Sequence, residues 1–222
     1  MNAKKHVILG IAFAAVLSAM NVASASIITY TSRAAWTTDV GATDFTVDFE
    51  SFASDTSFAS APLDVGPFTL STNGTAASGT NLVDVSPFLF SGIPASFGNA
   101  ATFIFAEGTL TADLTFDTAV RGFFADFLWA GNGQQLDLTL SFSGGGSTDV
   151  LVPGPGTDLE PFGFISTTDS ITSIRFNNGV NDGFYIDNVS GSGSGTVPEP
   201  ATLALLGLGL AGLGFSRCRI TH

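Results

Sequence analysis

Thr109-Leu110-Thr111-Ala112-Asp113-Leu114-Thr115-Phe116 alternates strictly between polar and apolar residues, and so does Gln135-Leu136-Asp137-Leu138-Thr139-Leu140-Ser141-Phe142. Successive side chains on a β-strand point to opposite faces, so each octapeptide predicts a half-buried strand. Leu110, Ala112, Leu114 and Phe116 form the apolar face of the first. Working outward, Ile27–Thr31, Phe45–Phe49, Phe68–Thr72, Ala101–Phe105, Asp149–Val152, Phe162–Ser166, Ile171–Phe176 and Phe184–Val189 read as further strands, separated by Gly, Asn, Pro, Ser and Asp clusters. Val120–Trp129 is apolar on both faces, as in a central strand, and Asp126 interrupts one of them. A buried carboxylate needs a cation or several donors, and Arg121 or Arg175 is the ordinary partner. The set predicts an all-β fold, a two-sheet β-sandwich of jelly-roll type. Ser32-Arg33-Ala34-Ala35-Trp36 is the exception, a short N-terminal helix with Ser32 as its N-cap.

The two ends of the chain are unlike this middle. Residues 1–25 carry Lys4 and Lys5, an apolar stretch from Val7 to Ala19, and Ala23-Ser24-Ala25, which together read as a secretory signal peptide cleaved before Ser26. At the other end, 191–196 is a Gly/Ser-rich stretch expected to be a flexible linker. Val197-Pro198-Glu199-Pro200 follows, then an apolar helix over 201–215 and a short basic tail over 216–222 with Arg217 and Arg219. Fifteen helical residues span roughly 22 Å against a hydrocarbon core of roughly 30 Å, a marginal membrane helix whose arginines favour the cytoplasmic side. Gly207-Leu208-Gly209-Leu210-Ala211-Gly212 spells a dinucleotide-binding fingerprint, but no long helix and no acidic residue follow it, so the nucleotide reading fails.

Between these segments lies one domain, 26–190, long enough for a core of its own. Its three basic residues, Arg33, Arg121 and Arg175, face eighteen acids across Ser26 to Val197, a net charge of −15. Such a surface repels nucleic acid and anionic lipid. Every Lys, His, Met and Cys of the chain falls in the two terminal segments. Ser-His-Asp and Cys-His nucleophiles, Lys Schiff bases and zinc, copper or haem sites on His or Cys are thereby excluded from the domain, as are disulfides. The core must hold it, and the nineteen phenylalanines from Phe45 to Phe184 supply one.

The ordered tail of Val197, Pro198, Glu199 and Pro200, the Leu/Gly/Ala-rich run, and Arg217 and Arg219, behind a signal peptide, resembles the PEP-CTERM family of exported bacterial proteins. The resemblance implies recognition by exosortase as a partner, transient membrane anchoring through 201–215, and release to the outer surface or extracellular matrix of a Gram-negative bacterium making exopolysaccharide. Cys218 interrupts the basic tail, where the family carries a denser arginine cluster. Within the domain, the early Val47-Asp48-Phe49-Glu50 and the late Ile186-Asp187-Asn188-Val189 are similar to jelly-roll carbohydrate-binding and MAM-type adhesion domains. In those the first and last strands meet and acidic residues hold a structural calcium. Asp48, Glu50 and Asp187 are accordingly the candidate calcium ligands, with Asn188 beside them. As alternate residues of one strand, Asp48 and Glu50 are expected on the face opposite Phe49. The competing assignment leaves them solvated and pairs Asp187 with Arg175.

Three functions fit. The first is a non-enzymatic surface or matrix protein associated with exopolysaccharide. Second comes a calcium-stabilised carbohydrate-binding module, for which Trp129 beside Gly131-Asn132-Gly133 is a candidate sugar platform. The third is a glycoside hydrolase using two carboxylates, for which no acid and nucleophile motif is present.

Overall fold

The computed structural model describes residues 26–75, 80–85, 98, 100–106, 110–129, 136–153, 160–177 and 182–193. These form antiparallel strands and one helix. The first layer is ordered β4 (Leu63–Asp64), β5 (Phe68–Asn73), the first half of β8 (Thr111–Trp129), β12 (Ile171–Asn177), β9 (Leu136–Phe142) and β10 (Ser147–Val152). The second is ordered β1 (Ile27–Tyr30), β11 (Glu160–Ser166), the second half of β8, β13 (Asp182–Gly193), β7 (Ala101–Ala106), β6 (Leu82–Asp84) and β3 (Thr56–Ser57). β2 (Phe45–Val47) pairs with the far end of β13, aligning Val47 with Val189.

The long β8 joins the layers. The sequence predicts two strands, 109–116 and 120–129; the structure runs one strand of 19 residues through both. Nothing in Asp117-Thr118-Ala119 breaks an extended chain, and a strand that bends from one sheet to the other makes the corner of a sandwich. Its alternating half pairs with β5 and β12, and its two-sided apolar half with β11 and β13.

The core lies between the layers. Leu114, Leu138, Leu140, Ile174 and Phe176 come from the first layer and Phe123, Phe127, Phe164, Phe184 and Ile186 from the second, all fully buried. Phe176 meets Phe184 across the gap with ring centroids 5.6 Å apart, and Phe116 meets Phe123 at 6.4 Å. Each buried phenylalanine contributes roughly 1.5–3 kcal/mol, which is how a domain without disulfides is held together.

The helix α1 (Arg33–Val40) forms as the sequence predicts: Ser32 Oγ accepts the Ala35 N–H at 3.4 Å, and Gly41, at φ 81°, ends it. α1 covers the outer face of the second layer. Trp36 packs on Phe124 and Ile165, and its indole N–H donates to the Phe164 carbonyl at 3.2 Å.

Two boundaries differ from expectation. Gly191-Ser192-Gly193 belongs to β13 and is not part of the tether, with Ser192 buried and Gly191 paired to Phe45. A side chain at Gly191 would strike the Phe45 ring, and one at Gly193 the Asp44 carboxylate, so these glycines serve close packing. The strand expected over Phe45–Phe49 stops at Val47. Phe49 turns into the left-handed region at φ 58° and is fully buried, packing edge-on against Phe68. β3, β4 and β6, two or three residues each, are additions that no periodicity announces.

Among the described residues no helix is long and apolar enough to cross a membrane. The signal segment 1–25, the run 201–215 and the tail 216–222 lie outside the described residues.

Candidate functional site

A charged corner of the domain is built on an irregularity in β13. Asp187 aligns with Asp126 of β8, but Ser190 aligns with Phe124, so β13 carries one residue more than β8 over this stretch. The extra residue is a β-bulge, and Asn188 takes the left-handed conformation it requires, at φ 50°. A second shift between Ser192 and Gly193, where β8 steps from Gly122 to Val120, restores the register.

The bulge gathers polar groups. Asp187 Oδ1 accepts the Asn188 backbone N–H at 2.7 Å, and Asn188 Nδ2 donates to Asp126 Oδ2 at 3.0 Å and to Asp187 Oδ2 at 3.3 Å. Arg33, at the start of α1, lies 3.2 Å from Asp126 Oδ1, donates to Ser190 Oγ at 2.7 Å and to the Asn188 carbonyl at 3.0 Å, and rests over the Phe124 ring. The partner of Asp126 is therefore Arg33, in place of Arg121 or Arg175. Arg175 holds Asp113 instead, by two bonds of 2.7 and 3.1 Å. Arg33 was missed as a site residue because its partner lies 93 positions away; its only signal is that it is one of three cations in the domain.

Asp187 is 2 % exposed. Burial pushes its carboxyl up to about 8, the Asn188 N–H pulls the other way, and the charges of Asp126, Asp48 and Glu50 push it further up. Burial and these neighbours favour the neutral acid over the carboxylate at Asp187. Nearby on the same strand Tyr185 is buried and donates to Asp84 Oδ2 at 3.2 Å.

The structure brings Asp48, Glu50 and Asp187 into one neighbourhood, but not in the arrangement expected. Phe49 reverses the backbone between Asp48 and Glu50, so they do not share the face of a strand; the Glu50 N–H donates to Asp48 Oδ1 at 3.2 Å. Glu50 Oε1 accepts the Ala100 N–H at 3.1 Å. Among the described residues no three Asp, Glu, His or Cys side chains are grouped to hold a metal ion. Calcium needs six to eight oxygens, whereas here Asn188 presents its NH2 group to two carboxylates, Asp126 and Asp187, and Arg33 pairs with the first of them. The placed residues do not fit a calcium shell.

Trp129 ends β8 opposite Phe184, and its side chain lies outside the described residues. So do Ala23, Ala25, Val197, Pro198, Glu199, Pro200, Arg217 and Arg219. Ser26 is the first described residue, and its carbonyl accepts the Thr167 N–H at 3.0 Å.

No curated protein matches the chain. Among solved structures, a mutant family 29 carbohydrate-binding module complexed with mannohexaose is similar at 16% identity, covering 64% of this chain and 94% of that one, with a TM-score of 0.41. A family 11 carbohydrate-binding module from Clostridium thermocellum, in complex with a β-1,3-1,4-mixed-linked tetrasaccharide, is similar at 14% identity, covering 66% and 92%, with a TM-score of 0.37. The family model for the PEP-CTERM protein-sorting motif matches residues 196–219. The match takes in Pro198-Glu199-Pro200, the apolar run and both arginines, so the chain is a β-sandwich followed, three residues after its last described strand, by a PEP-CTERM protein-sorting motif.

Proposed function

We propose that the chain is a non-enzymatic surface or matrix protein, exported by cleavage before Ser26, held at the membrane through 201–215, released by exosortase, and associated with extracellular polysaccharide. The observation that carries this reading is the sorting motif at 196–219. The residue inventory supports the non-enzymatic part: from Ser26 to Val197 there is no His, Lys or Cys to act as nucleophile or base. The carboxyl that burial raises, Asp187, is bonded to its own strand and 2 % exposed, out of reach of a polymer.

Replacing Pro198-Glu199-Pro200 by alanines in the producing bacterium tests it. The variant is exported and accumulates in the membrane fraction at full length, while the parent reaches the matrix fraction shortened at its C-terminus. Normal shortening of the variant would sink the exosortase assignment, and a parent that never sediments with matrix polysaccharide would sink the association.

A further inference from the structure

Resting on that reading of polysaccharide association, we propose that the outer face of the first layer is the docking surface, and that its ligand is an uncharged polysaccharide. The strand register lines up polar side chains in rows across this face. One row runs Asp149, Thr139, Arg175, Asp113 and Ser71 over five neighbouring strands, each residue aligned with the next. The row beside it runs Ser147, Ser141, Ser173, Thr115 and Thr69. A third runs Leu151, Asp137 and Asn177, in which the exposed Leu151 is the apolar exception at the β10 edge. Their neighbours in sequence, such as Leu138, Leu140, Ile174 and Leu114, are the core residues, so the rows face outward. A depression of about 140 Å³ lies over the centre, lined by Asp113, Thr115, Thr139, Ser141, Ser173 and Arg175.

The chemistry of the rows selects the ligand. Asn177 Nδ2 donates to Thr139 Oγ1 at 2.8 Å, and Thr139 Oγ1 donates to Asp149 Oδ1 at 2.7 Å, so three strands hold one hydrogen-bonded chain in place. Arg175 spends Nε and one Nη2 proton on Asp113, which fixes the guanidinium and leaves its other N–H groups as oriented donors. Neighbouring hydroxyls of a pyranose both donate and accept, and planar Arg, Asp and Asn groups match such pairs bidentately. Adjacent strands are about 4.8 Å apart, a step the size of one sugar ring, so a row repeats its groups at the scale on which a polymer repeats its own. Charge decides against an anionic polymer. The one arginine in these rows is already neutralised by Asp113, while Asp137 and Asp149 add negative charge to a domain at −15. No aromatic ring stands in these rows, so hydrogen bonding in water carries the contact.

The test is electrophoresis of the full-length chain, in mild detergent, through gels containing neutral galactomannan, neutral dextran or anionic alginate. At least one neutral polymer slows the chain and alginate does not. Arg175→Gln and Thr139→Val, each checked for an unchanged melting profile, weaken that retardation about tenfold in apparent Kd, and Asp39→Asn on α1 leaves it unchanged. Retardation that survives both face substitutions, or is equal in alginate, overturns the proposal, as does no retardation in any gel. The reading beneath is scored separately: face variants that still sediment with the matrix as the parent does overturn only the docking surface, whereas a parent absent from the matrix overturns the association itself.

Discussion

Asp187 and Asp126 stand directly opposite each other on neighbouring antiparallel strands, and one side-chain amide, that of Asn188, donates to both. Like charges facing each other across a ladder destabilise a sheet. The pair persists because its members differ: Asp126 is paired with Arg33, whereas burial raises the Asp187 carboxyl well above the usual carboxylate range.

Stability should therefore fall as pH rises. Between the ordinary carboxyl value of 3.8 and the folded value of about 8, the unfolded chain is ionised at Asp187 while the folded one keeps its proton. The unfolded state binds fewer protons there, so the stabilising effect is complete below about 4 and lost progressively up to about 8, at no more than ~1.4 kcal/mol per pH unit. Asp187→Asn, which cannot ionise, flattens that part of the profile. Denaturant midpoints at several pH values for both chains measure it; parallel profiles would refute the assignment.

Arg33→Ala removes an ion pair, two hydrogen bonds and the contact over Phe124 at once. With its side chain about a third exposed, solvent screens part of the charge interaction, and the expected loss is about 1–3 kcal/mol. Because Arg33 ties α1 to the bulge, Trp36 emission should shift to longer wavelength before global unfolding. Retained emission with lost stability would mean that the helix is held by Trp36 alone.

Gly163→Ala should be among the most damaging single-methyl changes. The added carbon would meet the Phe124 ring and the Phe123 carbonyl, one of them backbone, with no direction in which to yield. A loss of about 2–4 kcal/mol is expected, whereas Gly145→Ala on the β9–β10 turn meets no atom and suffers only from its φ of 89°. Thermal melts of the two variants compare them directly.

Calcium at millimolar concentration should leave the melting temperature at pH 7 within about a degree of its value in EDTA, since a ligand that does not bind the folded state adds no stability. A larger rise, abolished by Asp187→Asn, would show that Asn188 and Arg33 yield to the ion.

Much of the sandwich is legible in the sequence because its first layer has one wet face: Leu136 to Phe142 alternates, and its burial alternates with it. The corner at Asp117–Ala119 is not legible, since a bend in an unbroken strand leaves no mark in the pattern. Glycine misleads at Gly191 and Gly193, where the residue that makes a tether flexible also lets two backbones approach. The acidic corner was visible as three acids, but not its geometry. Which face Glu50 takes depends on Phe49 choosing the core over the extended conformation, and the cation beside Asp187, Arg33, reaches Asp126 from 93 positions away in the sequence.

A pull applied at the C-terminus enters the domain through β13, which is flanked near that end by β8 on one side and β2 on the other. The hydrogen bonds of both ladders run across the strand, so a load along its axis strains them together in shear and does not peel them one at a time. Residues 194–197 add at most roughly 14 Å of fully extended chain before the Pro-Glu-Pro, leaving little slack to absorb a tug. The strand that carries the buried acid is also the one through which the domain would bear tension.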